Sequence, residues 1–115
     1  MTIQRYEGNG RMSKAVVHHG ILYLCGQVAG SNSNVKEQTR ETLAKVEALL
    51  DKYGSDKNHL LSAVIHLKDM SLFNEMNEVW DDWILNGCEP ARTCVEAKLA
   101  KENLLVEVTV TAAVK

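Results

Sequence analysis

From Val106 to Ala112 every second residue is aliphatic, and Glu107, Thr109 and Thr111 stand between them. Side chains of an extended chain alternate between faces, so this pattern reads as a strand buried on one side only. Val106, Val108, Val110 and Ala112 need a cover. Leu105, Glu107, Thr109 and Thr111 form a second face, too apolar in places for free exposure yet carrying a carboxylate in its middle.

Two amphipathic segments can supply the cover. Val35, Thr39, Leu43, Val46, Leu50 and Tyr53 recur at spacings of three and four, with Leu49 beside them, while Lys36, Glu37, Arg40, Glu41, Lys45 and Glu47 lie mostly away. This is one helical stripe from Val35 to about Tyr53, with Asn34 as its N-cap and Gly54 as its stop. A second helix, capped by Asp69 or Ser71, has Leu72, Phe73, Met76, Val79, Trp80, Trp83 and Ile84 on its apolar side. Asn86-Gly87 is read as its end, and Pro90 blocks continuation.

The remaining apolar runs read as strands. Lys14–Val17 and Ile21–Gly26 flank His18-His19-Gly20 as a hairpin, followed by loop formers to Asn34. Leu60–Lys68 puts Leu61, Ala63, Ile65 and Leu67 on one face, and Ser62, Val64, His66 and Lys68 on the other. Arg92–Leu99 alternates and turns at Ala100–Asn103 into Leu104–Val114, which predicts an antiparallel pair. The order ββαβαββ is that of a two-layer α+β domain.

At 115 residues the chain fits one domain, taken as residues 1–115. Hydrophobic residues at 45% and charged residues at 24% give the ordinary balance of a soluble globular protein. A net charge of −2 gives no support to nucleic-acid binding through phosphate neutralisation. The first residues lack the basic and apolar regions of a signal peptide, and no apolar run suits a bilayer span. Cys25, Cys88 and Cys94 include no CxxC pair, so neither disulfides nor structural zinc are expected, and a cytoplasmic location with reduced thiols is the simplest reading. Cys88 is read as an incidental loop thiol. His18 and His19 point apart on a turn without further ligands, so no metal is expected there. Trp80 and Trp83 fall on the helical stripe and read as core.

Two helices cover one face of such a sheet. The mixed face is therefore a candidate subunit contact, with a candidate site in a cleft at its rim.

Glu89-Pro90-Ala91-Arg92-Thr93-Cys94-Val95-Glu96 is the most informative stretch. Pro90 fixes the approach to the strand, and Arg92 and Cys94 share one of its faces, assigned to the uncovered side. A guanidinium beside a cleft clamps a carboxylate through two parallel hydrogen bonds, and a carboxylate such as Glu107 can orient water or move protons. In a monomer the two need not meet; packing about a symmetry axis could join them. On residue types alone, interface ion pairing or simple solvation is the favoured reading for both.

Pro90-Ala91-Arg92-Thr93-Cys94-Val95-Glu96, followed by Val106-Glu107-Val108, resembles the C-terminal signature of the Rid family, also called the YjgF family and sometimes L-PSP endoribonuclease. Cys25-Gly26-Gln27 resembles its Ser-Gly-Gln. His66-Leu67-Lys68-Asp69-Met70 with Phe73 and Asn77 resembles its strand-to-helix segment. The resemblance covers nearly the whole chain and implies a chorismate-mutase-like fold and a homotrimer whose sheets form a central barrel with clefts between subunits. It implies cofactor-independent hydrolysis of reactive enamines and imines, such as 2-aminoacrylate and 2-iminobutyrate, to 2-oxo acids and ammonia. Arg92 would bind the substrate carboxylate, Cys94 would line the cleft largely through its backbone, and Glu107 would sit near the attacking water. Cys25 and Asn77 join them as candidate substrate-binding residues. Imine deaminases of the family carry a Gly-Pro-Tyr segment where this chain reads Gly10-Arg11-Met12-Ser13-Lys14, which marks a divergent subgroup. The alternatives are a non-catalytic sensor of a small carboxylate, which needs Arg92 but not Glu107, and RNA cleavage or binding, which the acidic balance disfavours.

Overall fold

The computed structural model describes residues 2–115. Strands β1 (Gln4–Tyr6), β2 (Ala15–His18), β3 (Ile21–Leu24), β4 (Gln27–Val28), β5 (Leu60–Leu67), β6 (Ala91–Glu96) and β7 (Val106–Ala113) form one mixed sheet, and α1 (Val35–Lys52) and α2 (Phe73–Trp83) pack on one face. The sheet order is β1-β2-β3-β7-β5-β6, with β4 also on β7. The α+β layering expected from the sequence is present. Among the described residues no helix is long and apolar enough to cross a membrane.

Helix α1 begins where its cap lies: Asn34 Oδ1 accepts the Glu37 amide at 2.9 Å, and Gly54 at φ +83° ends it in the left-handed region. Leu43, Val46 and Leu50 are buried against Val106, Val108 and Val110, the aliphatic row that required a cover. Gln38 is also fully buried. Its amide donates to Ser33 O at 3.0 Å and Asn103 O at 2.8 Å and accepts from the Leu105 amide at 2.9 Å, tying both flanking loops to the helix.

Several expectations fail for identifiable reasons. The last two strands are not a hairpin. β5 lies between them, antiparallel to β7 and parallel to β6, so β5-α2-β6 is a strand–helix–strand crossover and β6 is an edge. β6 stops at Glu96 rather than Leu99, because β5 itself ends at its partner Leu67. Leu61 was expected to face inward with Ala63, but a register shift between Leu60 and Ser62 leaves it exposed and buries Leu60 instead. Asp69 caps a 3-10 turn over Met70–Leu72, which leads into α2; α2 ends at Trp83, ahead of Asn86-Gly87. β1 and β4 were not expected at all.

Candidate active site

The register assigns the site residues to two faces. On β6, Arg92 pairs with Ala63 and Cys94 with Ile65, both buried under the helices. On β7, Glu107 pairs with His66, which points away from the helices. Arg92 and Cys94 therefore lie on the helix-covered face, which corrects their assignment to the open one. Glu107 lies on the open face as expected. Within one chain the sheet separates them.

The guanidinium on the helix side is tightly braced. Arg92 Nη1 donates to Asn77 Oδ1 at 2.9 Å, and its guanidinium carbon stands 5.2 Å from the Trp80 ring centroid and 5.9 Å from that of Phe73. Asn77, Phe73 and Trp80 share the face of α2 that meets the β6 edge, because their spacings of three and four bring them together. Among the described residues no carboxylate lies within ion-pair distance of Arg92. A half-buried cation with one amide partner, packed beside two aromatic rings, keeps donors for an anion from outside the chain. Asn77, a candidate substrate contact, holds the arginine through this bond.

Cys94, two residues on, is half-buried. Burial pushes its thiol up, and the nearby Arg92 charge only partly opposes that. Burial thus favours the protonated thiol over the nucleophilic thiolate.

On the open face, β3 and β4 run along the same side of β7 but are interrupted at Cys25-Gly26. The Gln27 amide folds back onto Cys25, donating to its O at 3.2 Å and its Sγ at 3.3 Å. Glu107 fills the space at the break: a Cβ on Gly26 would stand 2.6 Å from Glu107 Oε2 and 3.0 Å from Thr109 Oγ1. Oε1 of the same carboxylate faces His66 Nδ1 at 3.7 Å. The sequence reading did not include His66 in the site, although its alternation with Ile65 and Leu67 gave the face.

Neither tyrosine near the missing segment joins this group within the chain. Tyr6 stacks on Tyr53 at 5.0 Å between centroids. Tyr23 is exposed on the open face opposite Thr111, four residues and about 14 Å along β7 from Glu107. A cleft of about 390 Å³ lined by Glu47, Asp51, Asp56, Lys57 and Leu85 contains none of the site residues.

Residues 2–114 match the family model described as Endoribonuclease L-PSP. The chain is 40% identical over 114 residues to the RutC family protein YoaB of Escherichia coli K12, covering 99% of this chain and 100% of that one. A crystal structure of a YjgF-family member from Neisseria meningitidis superposes with a TM-score of 0.96 at 43% identity, covering 100% and 97% of the two chains. A Rid-family structure from Yersinia pestis gives 0.88 at 26% identity over 98% and 100%.

Proposed function

Because the chain belongs to the Endoribonuclease L-PSP family, which includes the YjgF, RutC and Rid proteins, we propose that it hydrolyses small reactive enamines and imines that carry a carboxylate, to 2-oxo acids and ammonia. The observation that carries this is Arg92: half-buried, braced by Asn77 and Trp80, and without an acidic partner among the described residues. Its free donors fit a carboxylate in the two-pronged geometry that guanidinium favours. An iminium carbon is already electrophilic, so a held substrate and a carboxylate that takes a proton from water suffice, with no cofactor. Glu107 is that carboxylate.

Arg92 and Glu107 on opposite faces make the site composite. The open face of one chain, carrying Glu107, meets the β6 edge of the next, carrying Arg92, and a closed ring of three copies completes three such clefts. Tyr23 and Val95, both exposed on that face, are buried by this assembly.

The decisive experiment supplies imine from a serine or threonine dehydratase and follows 2-oxo acid formation. The wild-type protein accelerates it and Arg92→Ala does not. Equal rates for wild type, Arg92→Ala and no protein would refute the proposal. A second reading, non-catalytic binding of a small carboxylate, is favoured by one fact: the arginine clamp is complete on the helix side without Glu107. Glu107→Gln separates the two, since only the hydrolase loses its activity while ligand binding persists.

A further inference from the structure

We propose that His66 is the positioning residue that orients Glu107, a role that rests on the hydrolytic reading above. His66 and Glu107 are direct cross-strand partners on β5 and β7, close enough for side-chain pairing. His66 Nδ1 is sealed from solvent and has no hydrogen-bond partner among the described residues. It nonetheless stands 3.7 Å from Glu107 Oε1. A buried ring nitrogen left unpaired is costly, and a small rotation of either side chain closes the gap to a hydrogen bond.

The two carboxylate oxygens are thereby divided. Oε1 belongs to the His66 N–H. Oε2 lies over Gly26, where the missing Cβ leaves room. Oε2 is the oxygen that meets the attacking water.

The chemistry balances without further reactants. As the water oxygen bonds to the iminium carbon, Glu107 takes one water proton and the C=N π pair moves to nitrogen, giving a carbinolamine. Glu107 returns that proton to nitrogen, and the C–N bond breaks with its pair as ammonia leaves. The remaining hydroxyl becomes the 2-oxo carbonyl as its proton passes through Glu107 to ammonia. His66 takes no proton from substrate in this sequence. It fixes which oxygen of Glu107 works, and in which direction.

The test uses the full chain and two readouts: the rate of 2-oxobutanoate formation from dehydratase-generated imine, and calorimetric affinity for 2-oxobutanoate. His66→Phe keeps the ring volume without the donor. It is expected to lower the rate at least roughly tenfold, part of the 10²–10⁴ that positioned acid–base groups supply, while affinity stays within about twofold because Arg92 holds the carboxylate. His66→Asn places an amide N–H near the Nδ1 position and is expected to recover most of the rate. The role is overturned if His66→Phe matches wild type while Glu107→Gln is inactive, or if His66→Asn is no better than His66→Phe. If wild type is no faster than no protein, the hydrolytic reading fails first and takes the role of His66 with it.

Discussion

The division of labour between Arg92 and Asn77 can be measured. In the proposed clamp, Arg92→Ala removes a charge-assisted pair of hydrogen bonds to the ligand carboxylate; hydrogen bonds to charged groups are worth about 1.5–3 kcal/mol each. Truncation is therefore expected to weaken 2-oxobutanoate binding by at least about 3 kcal/mol, or roughly 150-fold or more. Asn77→Ala acts at one remove. The guanidinium loses its 2.9 Å hydrogen bond but keeps the Trp80 and Phe73 faces, so the loss is one of orientation, about 1 kcal/mol or some fivefold. Because Asn77 works through Arg92, the two losses are not additive. In the Arg92→Ala background, Asn77→Ala is expected to change the dissociation constant by less than twofold. Calorimetry on the four proteins of the cycle gives the answer. If Asn77→Ala costs as much with Arg92 absent as with it present, Asn77 touches the ligand itself and the bracing role is wrong.

Three further outcomes follow from single features. Gly26→Ala places a methyl 2.6 Å from Glu107 Oε2; it is expected to displace the carboxylate and lower hydrolysis more than tenfold with little change in melting temperature, and an unchanged rate would show that Oε2 is not the working oxygen. Gln38→Leu leaves Ser33 O, Asn103 O and the Leu105 N–H without their shared partner; a loss of about 2–4 kcal/mol in urea unfolding is expected, and a loss under about 1 kcal/mol would mean the loops find other partners. For Cys94, burial raises the folded-state thiol above its unfolded value, so its contribution to stability is present below the unfolded value and is lost as pH climbs through the folded one. Peptide-mapped alkylation of Cys94 should accordingly reach half its limiting rate at a higher pH than an ordinary thiol, whereas a midpoint at or below the ordinary one would give the Arg92 charge the upper hand.

What could be read from the chain depended on how local the determining contacts are. Helix α1 was legible because its cap at Asn34, its stripe and its stop at Gly54 lie within one 21-residue window. The faces of β7 were legible because its alternation is unbroken over eight residues. The partner of β6 was not: nothing in Ala97–Leu105 says that β5 will insert between two strands adjacent in sequence. The strand–helix–strand order Leu60–Glu96 did carry the cue, since such crossovers join parallel neighbours. The face of Arg92 was lost with it. Arg92 was assigned to the uncovered side, whereas it lies under α2, and Val95 on the opposite face of the strand is 41% exposed. An edge strand only partly covered by an 11-residue helix permits this inversion. β1 and β4, of three and two residues, are too short for any period to register.

That inversion produces the sharpest test of the composite site. If Arg92 and Glu107 act from neighbouring copies in a closed ring, Arg92→Ala chains and Glu107→Gln chains are each inactive alone, yet can repair one another. Every cleft needs an intact Arg92 from one side and an intact Glu107 from the other. When the two variants are unfolded together in equal amounts and refolded at random, a cleft has a chance of one half of drawing a Glu107→Gln chain on the arginine side. It has the same chance of drawing an Arg92→Ala chain on the glutamate side. About a quarter of the clefts are then whole, and about a quarter of the wild-type rate should return. If each chain supplied both groups to its own site, every chain in the mixture would carry one lesion and no activity would return. Mixing the folded variants without unfolding provides the control, because subunits that do not exchange cannot complement. The sheet that keeps the two residues apart in one chain is thus the reason the protein should work only as an assembly, and a return of no activity after refolding, with assembly restored, would refute it.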